Sequence, residues 1–172
     1  MRSLLLVTAS LTLAGCETLR QESSDRFAFA DLATANGSKV GTVALVRAGD
    51  DTTLTVTYRG AANAVHGVHL HTMGRCEAPF TSAGGHLNPS NRQHGTENPQ
   101  GSHLGDLPNL RLNGAGVGSI SAKLGASSAD LQSALFDGDG TAIVVHADPD
   151  DYRTDPSGNS GARIACGVLR RL

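Results

Sequence analysis

The sequence predicts an all-β sandwich or barrel, and three observations point to that class. Short apolar runs rich in β-branched residues recur along the chain, turn-forming residues separate them, and glycine accounts for 21 of the 172 residues. That glycine share, about 12%, exceeds the usual share of about 7% and disfavours a helical bundle or a coiled coil. The apolar content of 39% is sufficient for a core, and the length is that of one domain.

Six segments have the alternating or β-branched pattern of strands. Pairs such as Asn36-Gly37 and Asn113-Gly114 bound them, since these residues favour tight turns. Between residues 127 and 135, cap-like serines begin a stretch that can form one or two helical turns. In chain order, the predicted strands are residues 27–32, 40–46, 54–58, 68–71, 143–146 and 164–169.

Two long stretches, residues 72–106 and 147–162, lack this pattern and contain many Gly and Pro residues. Long loops within a compact domain are usually functional, so we expect the site to lie there. The charge balance of 14 Lys and Arg against 16 Asp and Glu gives no electrostatic footprint for nucleic acid. A nucleic-acid partner is therefore not expected.

The N-terminal residues predict export. Residues 1–15 begin with Met1-Arg2-Ser3 and continue with small and apolar residues, as in a secretory signal peptide. This apolar stretch is too short to span a membrane, because a spanning helix needs about 20 residues. It closes with Leu13-Ala14-Gly15-Cys16, which resembles the bacterial lipobox, in which the cysteine is lipidated and becomes the first mature residue. The alternative is an ordinary cleaved signal with an incidental cysteine.

The lipobox resemblance implies a lipid-anchored protein of the periplasm and cell envelope. Glu17 follows the cysteine, and because an aspartate there would favour the inner membrane, the outer membrane is favoured. We expect residues 16–25 to be the lipidated cysteine with a polar tether, and residues 26–172 to be the folded domain. Cys76 and Cys166 then lie in an oxidising space, where a disulfide is expected and two free buried thiols are the alternative.

The seven histidines are the most informative residues of the chain. His69 and His71 occupy positions i and i+2 of a predicted strand, so their imidazoles point to one face and can converge on a metal ion. Alone, such a pair fits a solvated strand face equally well. Further candidate ligands stand in the polar loop and at the end of a later apolar run: His86, His94, His103, Asp106 and His146. Asp106 alone would more simply cap a turn, but three neighbouring imidazoles favour a metal ligand, and imidazole suits zinc and copper.

Four blocks of the sequence resemble, in the right order, those of copper–zinc superoxide dismutases, and they span nearly the whole mature chain. The blocks are residues 66–74, residues 81–89 with His94, His103 and Asp106 at intervals of eight, nine and three, residues 144–146 with Asp150, and residues 158–168. The resemblance implies an eight-stranded antiparallel Greek-key β-barrel or sandwich with two long functional loops.

The resemblance also implies a role for each residue of the site. The implied copper ligands are His69, His71, His86 and His146, and the implied zinc ligands are His86, His94, His103 and Asp106. His86 therefore bridges the two metals. Asp150 corresponds to a carboxylate that links a copper histidine to a zinc histidine, and His66 to a histidine hydrogen-bonded to the backbone. Arg163 corresponds to the guanidinium that receives the anionic substrate, and Cys76 with Cys166 to the family disulfide.

The implied function is the dismutation of superoxide to O₂ and H₂O₂, which protects the cell envelope from oxidants. A non-enzymatic copper-binding or buffering module and a zinc-loaded structural lipoprotein are the alternatives, and the complete ligand set together with Arg163 favours the enzyme. Residues 147–162 contain four acids and one base, so we expect weak electrostatic steering of the anion. The loop of residues 77–80, which shapes subunit contacts in that family, is short, so a homodimer and a monomer both stay open.

Overall fold

The computed structural model describes residues 25–172. The predicted signal peptide and the predicted lipidation site at Cys16 lie outside the described residues. Within residues 25–172, no helix has the length and apolar character needed to cross a membrane. The described elements are β1 (Asp25–Thr34), β2 (Lys39–Ala48), β3 (Asp51–Arg59), β4 (Val65–His66), β5 (Val68–His71), β6 (Leu110–Arg111), β7 (Val117–Lys123), α1 (Ser128–Leu135), β8 (Ala142–His146), β9 (Arg163–Val168) and β10 (Arg170–Arg171).

The predicted all-β class is confirmed. Eight strands form one antiparallel sheet in the order β5-β8-β9-β1-β2-β3-β7, with β10 paired to β1. The short β4–β6 pair stands between the two ends of this curled sheet, because β4 leads directly into β5 and β6 contacts β7. The non-consecutive neighbours β5-β8, β9-β1 and β3-β7 are the crossovers of a Greek-key barrel.

Alternation along the strands builds the barrel interior. On β3, Leu54, Val56 and Tyr58 are buried while the residues between them are more exposed, as expected for a strand with one face on the core. Leu32 of β1 and Leu45 of β2 are fully buried in the same cluster. Each such side chain stabilises the fold by about 1.5–3 kcal/mol through removal of its apolar surface from water.

The predicted helical turns are confirmed as α1, which connects β7 to β8. The Ser127 side chain caps it by accepting a hydrogen bond from the backbone N–H of Asp130 at 3.2 Å. Strand β7 was not predicted, because its side chains alternate between partly exposed and exposed and include Gly and Ser. Its pairing with β3, from Thr53 opposite Lys123 to Arg59 opposite Val117, depends on long-range register rather than on a local apolar pattern.

The two predicted loops remain outside the barrel strands. The first, between β5 and β6, contains only a short 3₁₀ turn at Thr81–Ala83, and the second connects β8 to β9. Because β5 and β8 are antiparallel, the first loop leaves β5 beside the start of β8, whereas the second loop begins at the end of β8. The first loop folds back along β5, with His71 opposite His86 and His69 opposite Asp106. The fold therefore brings together the two segments that hold most of the candidate ligands.

Candidate metal centre

Strands β5 and β8 position the first candidate ligands. They pair antiparallel with His69 opposite Val144, and His146 is the last residue of β8. Isolated backbone bridges attach the first loop to β5, with His71 opposite His86 and His69 opposite Asp106. Neighbouring backbone segments thus carry the histidines into one buried cluster.

Four imidazoles, those of His69, His71, His86 and His146, offer ligand atoms that all lie within 4.8 Å of one another. Hydrogen bonds set the tautomers of three of them. His71 Nδ1 donates to the Gly84 carbonyl at 3.0 Å, His146 Nδ1 donates to the Gly161 carbonyl at 3.3 Å, and His69 Nε2 donates to the Asp150 carboxylate at 2.8 Å.

The opposite nitrogens of these rings have no protein partner. His69 Nδ1 and the Nε2 atoms of His71, His86 and His146 are buried and make no hydrogen bond. Buried polar atoms without a partner are rare in proteins, and here four of them converge. The donor set fits a metal ion that prefers imidazole, as copper does. The four residues predicted as copper ligands therefore lie together in one group that could hold a metal ion.

A second cluster surrounds Oδ1 of Asp106. The Nδ1 atoms of His86, His94 and His103 lie 3.0, 3.0 and 3.1 Å from it, and His86 Nδ1 lies 3.4 Å from His103 Nδ1. Atoms bound to zinc at about 2.0–2.1 Å in a tetrahedron lie about 3.3–3.4 Å apart, so these separations suit zinc. The other oxygen, Oδ2, accepts hydrogen bonds from the backbone N–H groups of Gly95 and His103 at 2.9 and 3.0 Å.

His69 also lies near this second cluster, since its ring stacks on that of His86 with centroids 3.9 Å apart. The ligand atoms of His69, His86, His94 and Asp106 all lie within 4.8 Å of one another, a group that does not include His103. As the fourth zinc ligand, however, His103 is favoured over His69. Both nitrogens of His69 are already committed, one to Asp150 and the other to the first cluster. His86 differs, because its Nδ1 faces Asp106 while its Nε2 belongs to the first cluster.

Asp150 connects the two clusters. Its Oδ2 accepts from His69 Nε2 at 2.8 Å, and its Oδ1 accepts from His94 Nε2 at 3.0 Å and from the Tyr152 backbone N–H at 2.7 Å. Such partners fix the tautomer and orientation of metal-binding imidazoles. Gly158 makes room for this arrangement, because a Cβ there would lie 1.9 Å from Asp150 Oδ1 and 2.6 Å from His94 Nε2.

Asn109 is a contributor that the sequence did not reveal. Its side-chain amide donates to the Asp150 carbonyl at 2.8 Å and accepts from the Asp150 backbone N–H at 2.8 Å. Its own backbone N–H donates to the Tyr152 hydroxyl at 2.7 Å. Asn109 therefore holds the second loop against the first, but an isolated asparagine near a proline carries no recognisable signal for this role.

Arg163 lies next to the first cluster, at the start of β9. Its guanidinium donates to the carbonyls of Phe80 and Gly84 at 2.7 and 2.6 Å. Since the Gly84 carbonyl also accepts from His71, one backbone oxygen orients both the cation and a candidate ligand. The predicted disulfide between Cys76 and Cys166 is confirmed and ties this segment to β9.

His66 belongs to neither cluster. Its Nδ1 donates to the His146 carbonyl at 2.8 Å, and its ring packs edge-on against Tyr58 with centroids 5.7 Å apart. This position matches the backbone-bonded role that the sequence resemblance implied. The contact holds the end of β8, which carries His146.

Burial lowers the pKa values of four of the clustered histidines, whereas hydrogen bonds to carboxylates raise that of His94. Burial lowers the pKa of His86 to about 4 and that of His146 to about 3. Burial also lowers the pKa of His71 and His69. These imidazoles are therefore neutral at pH 7 and available as ligands.

His94 behaves differently. Burial alone would lower its pKa, but hydrogen bonds to Asp106 and Asp150 raise it to about 9. Hydrogen bonds from His86 and His94 hold the pKa of Asp106 well below its usual range, and those from His69 and His94 do the same for Asp150, although burial opposes this. The two aspartates are therefore ionised at neutral pH, as ligands or partners of metal-bound imidazoles must be.

An open cleft of about 540 Å³ leads to the first cluster. Its lining includes His86, His146, Arg163, Arg92 and Asp155. His103 lines it too, so three candidate ligands and the guanidinium border a cleft that is open to a small anion from solvent, while the remaining candidate ligands do not line it.

Comparisons with known proteins agree with this centre. The family model described as copper/zinc superoxide dismutase (SODC) matches residues 39–169. The Cu-Zn superoxide dismutase 2 of Aquifex aeolicus (strain VF5) is 38% identical over 173 residues, covering 98% of this chain and 94% of the relative. The Cu-Zn superoxide dismutase of Caulobacter vibrioides is 36% identical over 171 residues, covering 96% and 98%.

Solved structures show the same fold. A crystal structure of a double mutant of a SOD-like protein from Bacillus subtilis superposes with a TM-score of 0.76 at 37% identity, covering 84% of this chain and 98% of that one. The Cu/Zn superoxide dismutase from Brucella abortus superposes with a TM-score of 0.65 at 28% identity, covering 86% and 100%.

Proposed function

This chain belongs to the copper/zinc superoxide dismutase family, and from that premise we propose how its residues divide the work of the reaction. The protein is an oxidoreductase that converts superoxide to O₂ and H₂O₂ with copper and zinc as cofactors. We assign copper to His69, His71, His86 and His146, and zinc to His86, His94, His103 and Asp106. The observation that carries the assignment is the convergence of four unpartnered buried nitrogens in the first cluster.

The chemistry of the two metals explains the need for two clusters. Bound copper supplies a change of oxidation state, by which one superoxide is oxidised and another reduced, whereas d¹⁰ zinc has no redox chemistry. The chain's own residues bind the substrate and handle its protons. The Arg163 guanidinium, held by two carbonyls at the cleft, binds the anion and orients it beside His146.

His86 supplies the proton-handling group. Its Nε2 is buried, has no protein partner and belongs to the first cluster, while its Nδ1 faces Asp106. A ring fixed at Nδ1 keeps Nε2 in place, so this nitrogen can hold a proton and pass it to the reduced substrate.

A reciprocal pair of variants tests the assignment. His146→Ala should lose copper and nearly all superoxide consumption but keep zinc, whereas His103→Ala should lose zinc and keep copper. Metal content and a superoxide-consumption assay are measured on each variant. A fully active His146→Ala protein would contradict the mechanism, and a wild-type protein that binds copper without consuming superoxide would favour the non-enzymatic copper-binding alternative.

Arg163→Ala separates substrate binding from metal binding. We expect lower activity with unchanged copper content, because the guanidinium contacts carbonyl oxygens rather than ligand nitrogens. Loss of copper in this variant would mean that Arg163 acts structurally, through the Gly84 carbonyl that it shares with His71.

We also propose that the mature protein begins at Cys16 as a lipid-anchored form of the cell envelope, with residues 1–15 removed and residues 26–172 as the domain. The lipobox-like sequence before Cys16 supports this, and Cys16→Ser should shift the protein from the membrane to the soluble fraction. Every proposed ligand comes from one chain, so a homodimer is not required for the site. Light scattering on a form that starts after Cys16 distinguishes the dimer from the monomer.

A further inference from the structure

The loop of residues 147–162 contributes little positive charge to the cleft. It contains four aspartates and a single basic residue, Arg153. That arginine forms an ion pair with Glu97 on the outside of the first loop and does not line the cleft. Any cation that attracts superoxide to the entrance must therefore come from another segment.

The cleft has two cations and one acid among its lining residues. Arg163 lies inside, beside the first cluster, and Arg92 comes from the first loop. Asp155 is the acid, and its carboxylate already accepts a hydrogen bond from the His94 backbone N–H at 2.6 Å. The charge of the lining therefore favours an anion, although the facing loop is acidic.

Arg92 is held in place at this entrance. Its Nε donates to the Gly101 carbonyl at 2.7 Å. The Asn88 side chain accepts from the Arg92 backbone N–H at 3.0 Å and donates to the Arg92 carbonyl at 2.7 Å. In the described part of the chain, the two terminal nitrogens of Arg92 make no hydrogen bond or ion pair, so they are available to an anion.

We propose that Arg92 guides superoxide into the cleft, that Asn88 positions it, and that Arg163 then receives the anion. This inference rests on the proposed function of the site. Arg92 stands between His86 and His94 in sequence, so the segment that holds the zinc ligands also presents the guiding charge. An exposed charge acts over a distance set by ionic strength, about 30 Å at 10 mM and about 3 Å at 1 M, which gives the proposal a specific signature.

The test compares Arg92→Gln and Arg92→Glu with Arg153→Gln as the matched control, all loaded with copper and zinc. At about 10 mM ionic strength, we expect kcat/KM to fall about two- to threefold in Arg92→Gln and by about the square of that factor in Arg92→Glu. At about 1 M, both variants should equal the wild type. Arg153→Gln should match the wild type at both ionic strengths, and metal content should not change in any variant.

Azide binding to the loaded protein, read from the copper absorption spectrum, gives a measurement that does not depend on turnover. We expect the azide Kd at low salt to rise by the same graded factors. An unchanged kcat/KM in Arg92→Glu, a loss that persists at 1 M, or an equal loss in Arg153→Gln would overturn the guiding role. A protein without activity whose azide Kd still responds to residue 92 would contradict the proposed function and leave the guiding role intact.

Discussion

Asp150→Asn is the most discriminating change in the centre, because it removes one acceptor while nearly preserving shape. The carboxylate accepts three hydrogen bonds, two at Oδ1 from His94 and Tyr152 and one at Oδ2 from His69. An asparagine has one acceptor oxygen, and this oxygen best occupies the Oδ1 position, where two donors meet. Its NH₂ group then faces His69 Nε2.

That arrangement damages the copper cluster specifically. Either two donors face each other in a fully buried site, or His69 moves its proton to Nδ1, the nitrogen that faces the other copper ligands. The first outcome costs about 1–3 kcal/mol for each buried donor without an acceptor. The second blocks a ligand. Loss of an orienting partner typically weakens metal binding 10- to 100-fold, and we expect copper affinity to fall by that amount and zinc affinity by less.

Competition with a chelator at pH 7.5, for copper and zinc separately, measures this difference. The matched control is Asp151→Asn, one residue away, whose carboxylate is exposed and bonds Thr154 and Asn159 rather than a histidine. Denaturant unfolding of the metal-free forms should show Asp150→Asn to be about 1–3 kcal/mol less stable than the wild type. Unchanged copper affinity, or a loss confined to zinc, would refute the reasoning.

Three further outcomes are expected. Gly158→Ala should lower the thermal midpoint and weaken both metals, because its Cβ would overlap the bridging carboxylate at a φ of +62°. Replacing Cys76 and Cys166 with serine should lower the unfolding free energy by up to about 4–5 kcal/mol, as loop entropy predicts for a closure of this length, and circular dichroism during denaturation measures it. The metal-free protein should lose about 1.4 kcal/mol or more per pH unit as the pH falls from 6.5 towards 4. The pKa values of His86 and His146 are lowered to about 4 and about 3, so the unfolded chain takes up protons there before the folded one does, and urea unfolding at several pH values would show a flat profile if this were wrong.

Much of the centre was predictable because its ligands follow local rules. Strand periodicity indicates the His69 and His71 pair, because residues i and i+2 of a strand point to one face. The loop ligands are indicated by their density in a segment that cannot form its own core. Resemblance to the family then supplied the assignment of each ligand to a metal. The strand pattern likewise predicted the barrel class, since buried side chains alternate on β1, β2 and β3.

What the sequence could not reveal depends on contacts between distant residues. Asn109 supports Asp150 across 41 positions, and Arg92 reaches the cleft only because the first loop folds back beside β8 and β9. Strand β7 pairs residue for residue with β3 although most of its side chains are polar or small and none is buried. In each case, the partner rather than the residue itself determines the role.

The contacts between the two loops explain how the zinc cluster affects the copper cluster, although zinc has no redox chemistry. Asp106 and the zinc-side histidines order the first loop, and Asp150 and Asp155 of the second loop both bond His94. Asp150 in turn orients His69, a copper-side ligand, so the two clusters share one carboxylate as well as the imidazole of His86. Because a carboxylate that loses His94 would also shift against His69, order in the zinc cluster is transmitted to the copper cluster by hydrogen bonds alone. The zinc-side residues therefore hold the copper ligands and Arg92, the cation at the cleft entrance, in position.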